Sequence, residues 1–247
     1  MRGDILKKKL MVLCAVAIMI STCLTGCKMN SGKIRFGSAG IGGTYQIFGD
    51  TFANLISSKS KKYNIEVKTT AGSAANLRLL SKDYIQMAVA QMDLINDAYN
   101  RTGIFENDKK YQGYRAVASL YTEACQIVVP ADSDIQSMDD LEGKKVCIGE
   151  EESGTEQNAL QILNAYGLNE RLVDTVNLNY TDAAKKLKSG DIDAFFCTAG
   201  VQTTVINELS KQCKIRLVSL DQKGVSRLKK SYKFYTEYTL SLIHISE

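Results

Sequence analysis

Two glycine-rich loops in this chain have the composition of an anion-binding site. The first reads Gly40-Ile41-Gly42-Gly43-Thr44-Tyr45 and the second reads Glu152-Ser153-Gly154-Thr155. Each ends in Gly-Thr at the predicted start of a helix, where unpaired backbone N–H groups and the positive end of the helix dipole attract an anion. Glycine lets a ligand approach the backbone, and the threonine hydroxyl either donates to the ligand or caps the helix. A single loop of this kind is more often plain strand–helix packing.

The matched placement of the two loops indicates a shared cleft and makes the binding interpretation as strong as the packing one. Ligands of open parallel sheets bind beyond the carboxyl ends of the strands, and both loops are predicted at such ends. Two lobes that face each other could therefore clamp one small acidic molecule. The first loop lacks the third glycine of the dinucleotide fingerprint, and no Gly-Lys-Ser/Thr of a phosphate loop follows it. No cofactor is expected.

The sequence offers no catalytic constellation. Its one histidine, His244, lies three residues from the end, so Ser-His-Asp and Cys-His hydrolysis have no credible base. Asp191 and Asp193 are more typical of a strand-entry turn with solvated carboxylates. The cysteines of the mature chain form no C-x-x-C pair, and they are Cys125, Cys147, Cys197 and Cys213. Neither a metal site nor an enzyme is expected, whereas disulfide pairing outside the cell is left open.

Short strands alternate with helices from residue 33 onward, which predicts an α/β fold with parallel sheets covered by helices. The predicted strands are 33–37, 65–69, 85–90, 114–121, 124–129, 145–149, 192–197 and 215–220. The predicted helices are 45–57, 73–81 with Ser73 as its cap, 94–99, 156–167, 180–189 ended by Gly190, and 205–210. Two similar units, near 33–121 and 124–217, indicate two lobes.

Residues 1–26 have the layout of a bacterial secretory signal. A basic start precedes the apolar run Leu10–Ile20, which is too short for a membrane-spanning helix. The following Leu24-Thr25-Gly26-Cys27 resembles a lipobox, whose cysteine is lipidated. We expect Cys27 to carry a lipid anchor, residues 27–33 to form a tether, and the mature protein to be held outside the cytoplasmic membrane. The alternative is an ordinary signal peptide with a chance cysteine.

The charge of the chain argues against binding to nucleic acid. The net charge is +4, and residues 1–26 contribute four basic residues against one acidic residue, or +3. The mature part therefore carries only +1 (4 − 3). Attraction to a polyanion needs a much larger basic excess, so nucleic acid is not an expected partner.

Five segments resemble TAXI-type solute-binding receptors, the extracytoplasmic binding proteins of TRAP transporters. They are 37–56, 69–80, 89–100, 114–155 and 194–209, and the resemblance runs from residue 34 to about residue 239. It implies a type II periplasmic-binding-protein fold, with lobe 1 over 34–121, lobe 2 over 122–220 and a hinge between them. The chain departs from the family pattern at two places. Thr122 stands where the family commonly has proline, and residues 82–84 replace a turn that usually contains glycine.

The resemblance also implies the ligand-binding residues. They are Gly42, Gly43, Thr44, Tyr45, Ser73, Asn76, Gln91, Tyr121, Ser153, Gly154, Thr155 and Gly200. For Gln91, ligand and backbone are equally plausible partners, and for Tyr121 a hinge role competes with ligand contact. Arg78 could clamp a carboxylate, but a surface position in the middle of a predicted helix is the competing interpretation, and Arg78 is left out of the set.

The expected function is that of a lipid-anchored receptor that closes on a small organic acid, glutamate-like or another carboxylate, and delivers it to TRAP membrane subunits. The same fold serving an ABC importer or a sensor is the first alternative, and an extracytoplasmic enzyme is the second. Residues 221–247 are expected to return to lobe 1. Because the final SLIHISE departs from the family, lobe 1 is expected to be truncated at its C-terminal end.

Overall fold

The computed structural model describes residues 33–201 and 203–240. The predicted signal peptide, Cys27 and residues 241–247 lie outside the described residues. From Ile34 onward, the described residues belong to one compact unit. Within this part of the chain, no helix is both long enough and apolar enough to cross a lipid bilayer.

Eight strands of the described residues form two sheets. The strands are β1 (Lys33–Gly37), β2 (Asn64–Lys68), β3 (Met87–Ala88), β4 (Ala124–Pro130), β5 (Lys145–Cys147), β6 (Asp174–Val176), β7 (Ala194–Ala199) and β8 (Ile215–Leu217). The first sheet has the order β2-β1-β3 and the second has the order β6-β5-β7-β4-β8. We call the part built on the first sheet lobe 1 and the part built on the second sheet lobe 2.

Seven α-helices accompany these strands in the described part of the chain. They are α1 (Thr44–Lys59), α2 (Ser73–Ser81), α3 (Met92–Asn100), α4 (Gly154–Ala165), α5 (Tyr180–Ser189), α6 (Thr204–Ser210) and α7 (Gln222–Ser231). Helix α5 ends as predicted, because Gly190 takes the left-handed conformation at φ 78°.

The sheet of lobe 2 is mixed, so the prediction of parallel pairing is only partly right. Strand β5 pairs in parallel with β6 and β7, whereas β4 pairs antiparallel with β7 and β8. A parallel pair needs a crossover connection, which is usually a helix. Strand β4 follows lobe 1 in the chain, with no helix of lobe 2 before it. It is antiparallel to both of its neighbours in this sheet.

The predicted strand 114–121 is wrong. None of these residues lies in a strand, and Val117 is 84% exposed. The segment belongs to neither sheet of the described residues, so its apolar alternation is not matched by any strand pairing. Tyr114 is held differently, since its hydroxyl donates to the Ile95 carbonyl at 2.9 Å.

Lobe 2 has a three-layer core around the fully buried strand β7. Phe196 packs on one side with residues of α4 and α7, and Phe195 packs on the other with residues of α5 and α6. Leu228 of α7 is buried in the first of these clusters. The expected return to lobe 1 therefore does not begin at residue 221, because the apolar face of α7 is covered by lobe 2.

The four described cysteines are free thiols, so no disulfide links the strands. They are Cys125, Cys147, Cys197 and Cys213. Cys125 and Cys197 lie on the neighbouring strands β4 and β7, but their side chains pack into the two clusters on opposite sides of the sheet. Burial raises the pKa of the Cys125 thiol to about 12.

Asn76 ties the strands of lobe 1 together from inside α2. Its side chain is fully buried, and its amide nitrogen donates to the carbonyls of Ser38 at 2.7 Å and Val89 at 2.9 Å. Its amide oxygen accepts from the Thr70 hydroxyl at 2.8 Å. These bonds hold the ends of β1 and β3 beside α2, and they occupy the amide that the sequence assigned to a ligand.

We expect Asn76→Ala to lower the free energy of unfolding by about 1–3 kcal/mol, because the buried Val89 carbonyl loses its donor. Urea denaturation measures this change. The control is Asn100→Ala, whose exposed side chain bonds only within α3 and whose loss should change stability by less than about 0.5 kcal/mol. Equal effects of the two substitutions would contradict the structural role of Asn76.

Candidate functional site

The two glycine-rich loops line one cavity between the lobes. Its volume is about 40 Å³. Eight of the twelve predicted ligand residues contribute to its wall: Gly43, Thr44, Tyr45, Ser73, Gln91, Ser153, Gly154 and Thr155. The structure therefore brings together the loops that the sequence predicted to share a cleft.

The helix α1 presents its N-terminus to the cavity from lobe 1. Gly43 is the N-cap residue and supplies no side-chain cap, so the first turn of α1 keeps its backbone donors. Gly42 precedes it at φ +89°, a conformation that favours glycine. A Cβ on Gly42 would lie 2.8 Å from the Thr181 hydroxyl of α5. Lobe 2 thus approaches the backbone of this loop closely.

The helix α4 presents its N-terminus from lobe 2. The Ser153 hydroxyl accepts from the Glu156 backbone N–H at 3.0 Å, so Ser153 is a helix cap. Gly154 opens the helix beneath Gln91 of lobe 1, and a Cβ there would overlap the Gln91 carboxamide. Only glycine allows this approach without a shift of Gln91.

The Thr155 hydroxyl is directed at Tyr180 rather than at the cavity. The Tyr180 hydroxyl donates to the Thr198 carbonyl at 2.9 Å, so it can only accept from Thr155 across their 2.5 Å contact. Tyr180 lines the cavity and its ring lies under Gly43, with ring carbons 3.5 Å from where a Cβ would stand. Sequence reasoning missed Tyr180, because a tyrosine at a helix start carries no local signal of this contact.

Tyr45 is a buried donor to a carboxylate and not a free stacking surface. Its ring belongs to the core of lobe 1, and its hydroxyl donates to Glu123 at 3.0 Å. Burial raises the pKa of Glu123 to about 7, against the opposing effect of the hydrogen bonds from Tyr45 and Gln91. Glu123 also lines the cavity, although its position just before β4 carries no local signal of a binding residue.

A second glutamate enters the wall from lobe 2. Glu150 follows β5, and its carboxylate lies against Gly40 of lobe 1, where a Cβ would overlap it. Burial raises the pKa of Glu150, and the nearby Asp182 adds to the effect. Among the described residues, neither lysine nor arginine lines the cavity.

Four predicted ligand residues lie outside the cavity wall. Gly42 and Asn76 have the structural contacts given above. Tyr121 lies instead along a wider groove of about 1920 Å³ that also reaches residues 234–240. A Cβ on Gly200 would lie 3.9 Å from the Thr44 hydroxyl, and the Gly200 carbonyl accepts from the Thr203 hydroxyl at 2.7 Å.

The N-terminus of α2 is already occupied by the other lobe. The backbone N–H groups of Ala74 and Ala75 both donate to the Glu152 carbonyl at 3.2 Å, and the Glu152 carboxylate pairs with Arg78 at 2.5 Å. The N-cap residue is Gly72, so the predicted cap Ser73 is wrong; the Ser73 hydroxyl instead accepts from the Gln91 N–H at 3.1 Å.

Arg78 therefore has a defined role between the lobes, which the sequence left open. Besides Glu152, its guanidinium contacts the Asp108 carboxylate at 3.3 Å and lies over the Phe105 ring. We call the contacts of Glu152 with Arg78 and with the N-terminus of α2 the interlobe latch. Glu152 itself adopts the left-handed conformation at φ 64°, which is uncommon for a residue with a side chain.

Several solved proteins share this fold. The alkanesulfonate-binding protein of Xanthomonas axonopodis pv. citri, bound to MOPS, aligns with 76% of this chain and 60% of its own length, at 18% identity and a TM-score of 0.51. An ancestral arginine-binding protein bound to arginine aligns with 82% of this chain and 93% of its own length, at 19% identity and a TM-score of 0.50. The binding protein of an ABC phosphonate transporter from Pseudomonas aeruginosa aligns with 81% of this chain and 74% of its own length, at 12% identity and a TM-score of 0.54.

At these identities the likeness shows the fold alone, and it confirms the predicted type II periplasmic-binding-protein architecture. The chain spans less than two thirds of the alkanesulfonate-binding protein, at 60% of its length. The model of the NMT1-like family matches residues 36–241, which is most of the sequence. This chain therefore belongs to the NMT1-like family.

Proposed function

We propose that this protein is a solute-binding receptor that closes its two lobes on a small carboxylate. One observation carries the proposal: the N-termini of α1 and α4, from opposite lobes, line the same cavity. Backbone N–H groups at two helix starts supply donors and positive potential for an anion from both sides. A ligand held in this way bridges the lobes and stabilises the closed form.

Capture requires the lobes to separate first. A cavity of about 40 Å³ has room for water but not for an organic acid, since ligand pockets typically measure about 300–1,000 Å³. The structure is therefore a closed form, and the ligand enters an open form that differs by a hinge movement. Tyr121 and Glu123 lie at the connection that enters β4, where such a movement would be accommodated.

We further propose that the receptor is of the TAXI type, that it is anchored outside the cell through Cys27, and that it delivers its solute to TRAP membrane subunits. The sequence resemblance over residues 34–239 and the lipobox support this. The alternative is an ABC importer, which the fold likeness to the ABC phosphonate-binding protein supports. The neighbouring reading frames decide between them: a multi-span permease without an ATPase indicates TRAP, and one with an ATPase indicates ABC.

We expect at least one ligand in a thermal-shift screen of small carboxylates to raise the Tm of the protein, because a ligand that binds only the folded closed form stabilises it.

Gly154→Ala should weaken the binding of the best ligand about tenfold, or about 1.4 kcal/mol, since the new Cβ would push Gln91 away from its position in the closed form. Titration calorimetry measures this. The control is Gly113→Ala, because a Cβ there meets no atom within 4 Å. A folded protein that no carboxylate stabilises would refute the proposed function.

We expect Glu152→Gln to loosen the closed form without ligand, because the charge that pairs with Arg78 is lost while the backbone carbonyl remains. A partly exposed ion pair contributes at most about 1 kcal/mol, so the association rate of the carboxylate should rise about two- to fivefold. Stopped-flow kinetics and the radius of gyration in solution measure this. Its exposed neighbour Glu151, changed to Gln, is the control. Identical rates in both variants would show that the interlobe latch does not limit opening.

A further inference from the structure

We propose that Glu123 couples closure of the lobes to the uptake of one proton, so that the closed form gains stability as the pH falls from 8 to 6. Glu123 lies in the connection that leads from lobe 1 into strand β4. The inference rests on the hinge movement of the proposed function, but it needs no assumption about the solute. It adds a pH-dependent control to that movement.

Groups from both lobes enclose the Glu123 side chain in this closed form. Tyr45 of lobe 1 donates its hydroxyl to the carboxyl group at 3.0 Å. Glu123 also lines the cavity between the lobes, together with Gln91 of lobe 1 and with Tyr180 and Thr198 of lobe 2. Separation of the lobes would remove one side of this enclosure and return the carboxyl group to water. The open and closed forms therefore differ in how readily Glu123 ionises.

Among the described residues, no lysine or arginine lines the cavity beside Glu123. The titratable groups that act on it are all acidic or neutral, and they are Tyr45 of α1, Asp93 of α3, Tyr121 of the connection, Cys125 of β4, Tyr180 of α5 and Cys197 of β7. A carboxylate withdrawn from water without a cation is unfavourable, so closure favours the neutral carboxyl group.

An unpaired acceptor in the same wall is the second, independent argument for a proton. The Asn158 amide nitrogen donates to the Asp93 carboxylate at 3.3 Å and to the Tyr235 hydroxyl at 2.8 Å. The Asn158 amide oxygen accepts from the Gln91 amide nitrogen at 3.1 Å. The Gln91 amide is thereby oriented, and its buried oxygen has no donor within the described part of the chain. Because Gln91 neighbours Glu123, a neutral carboxyl group brings a donor to this region, whereas an ionised one brings only acceptors.

The direction of the pH dependence follows from the pKa of Glu123 in the two forms. Burial raises the pKa of Glu123 from the ordinary value of 4.5 to about 7 in the closed form, whereas a carboxyl group in contact with water keeps its ordinary pKa. As the pH rises, the open form loses its proton first, and the closed form keeps its proton until about pH 7. Closure is therefore favoured at low pH, and this advantage is lost as the pH rises through 7. For one such group, the ratio of closed to open molecules is about tenfold larger at pH 6 than at pH 8.

The direct test measures closure without ligand. Small-angle X-ray scattering of the full chain gives the radius of gyration, which we expect to be smaller at pH 6 than at pH 8. Glu123→Gln keeps an acceptor for the Tyr45 hydroxyl but cannot ionise, so this variant should have the smaller radius at both pH values. The exposed control Glu170→Gln should respond to pH as the wild-type protein does.

Two results would overturn the proposal. The first is a wild-type radius of gyration that is the same at pH 6 and pH 8. The second is a pH response that persists in Glu123→Gln, or that is lost in Glu150→Gln instead, since another group would then be responsible.

Should Glu123→Gln fail to fold, carbon-13 NMR of the wild-type protein labelled at its glutamate carboxyl carbons gives a second readout. A carboxyl group that titrates near pH 7 supports the proposal, and the absence of any glutamate that titrates above pH 6 overturns it. Because neither experiment contains a ligand, failure of both would leave the proposed receptor function standing. Failure of every carboxylate to bind would overturn the receptor function and leave the pH response of the ligand-free protein as a separate result.

Discussion

The unpaired backbone N–H groups at the starts of helices α1 and α4 are the constraint on which this architecture depends. A buried donor without an acceptor is costly, so a closed cavity lined by both helix starts is more stable when a group inside it accepts their hydrogen bonds. Each lobe fixes the direction of its own helix. The stability of the closed arrangement therefore depends on the molecule that occupies the cleft. Affinity and lobe closure then have the same physical origin.

The third helix end in this region shows what happens where no ligand is needed. At α2 the acceptor is the Glu152 carbonyl of the opposite lobe, with Arg78 holding the carboxylate of the same residue. The protein thus closes part of the interface between its lobes with its own groups. For the receptor proposed above, this means that a closed form can be sampled without ligand and still be stabilised by ligand.

The sequence predicted the loops, the α/β order and most element positions, because Gly-Thr at a helix start and apolar periodicity are local signals. It failed where distant contacts decide. Asn76 was taken for a ligand residue, yet its amide is used by Ser38, which lies 38 positions earlier. Glu123 was missed because its partner Tyr45 lies 78 positions away. The segment 114–121 alternates like a strand, but a strand exists only where a neighbour offers a free edge.

The bond between Tyr45 and Glu123 has a spectroscopic consequence. The chain contains 12 tyrosines and no tryptophan, so its intrinsic emission is that of tyrosine alone. A phenol that donates to a carboxylate in its excited state loses fluorescence, and Tyr45 is placed to do so at 3.0 Å. A change in the distance between this ring and the connection that carries Glu123 would therefore alter the brightness of the unlabelled protein, which gives its hinge a built-in optical signal.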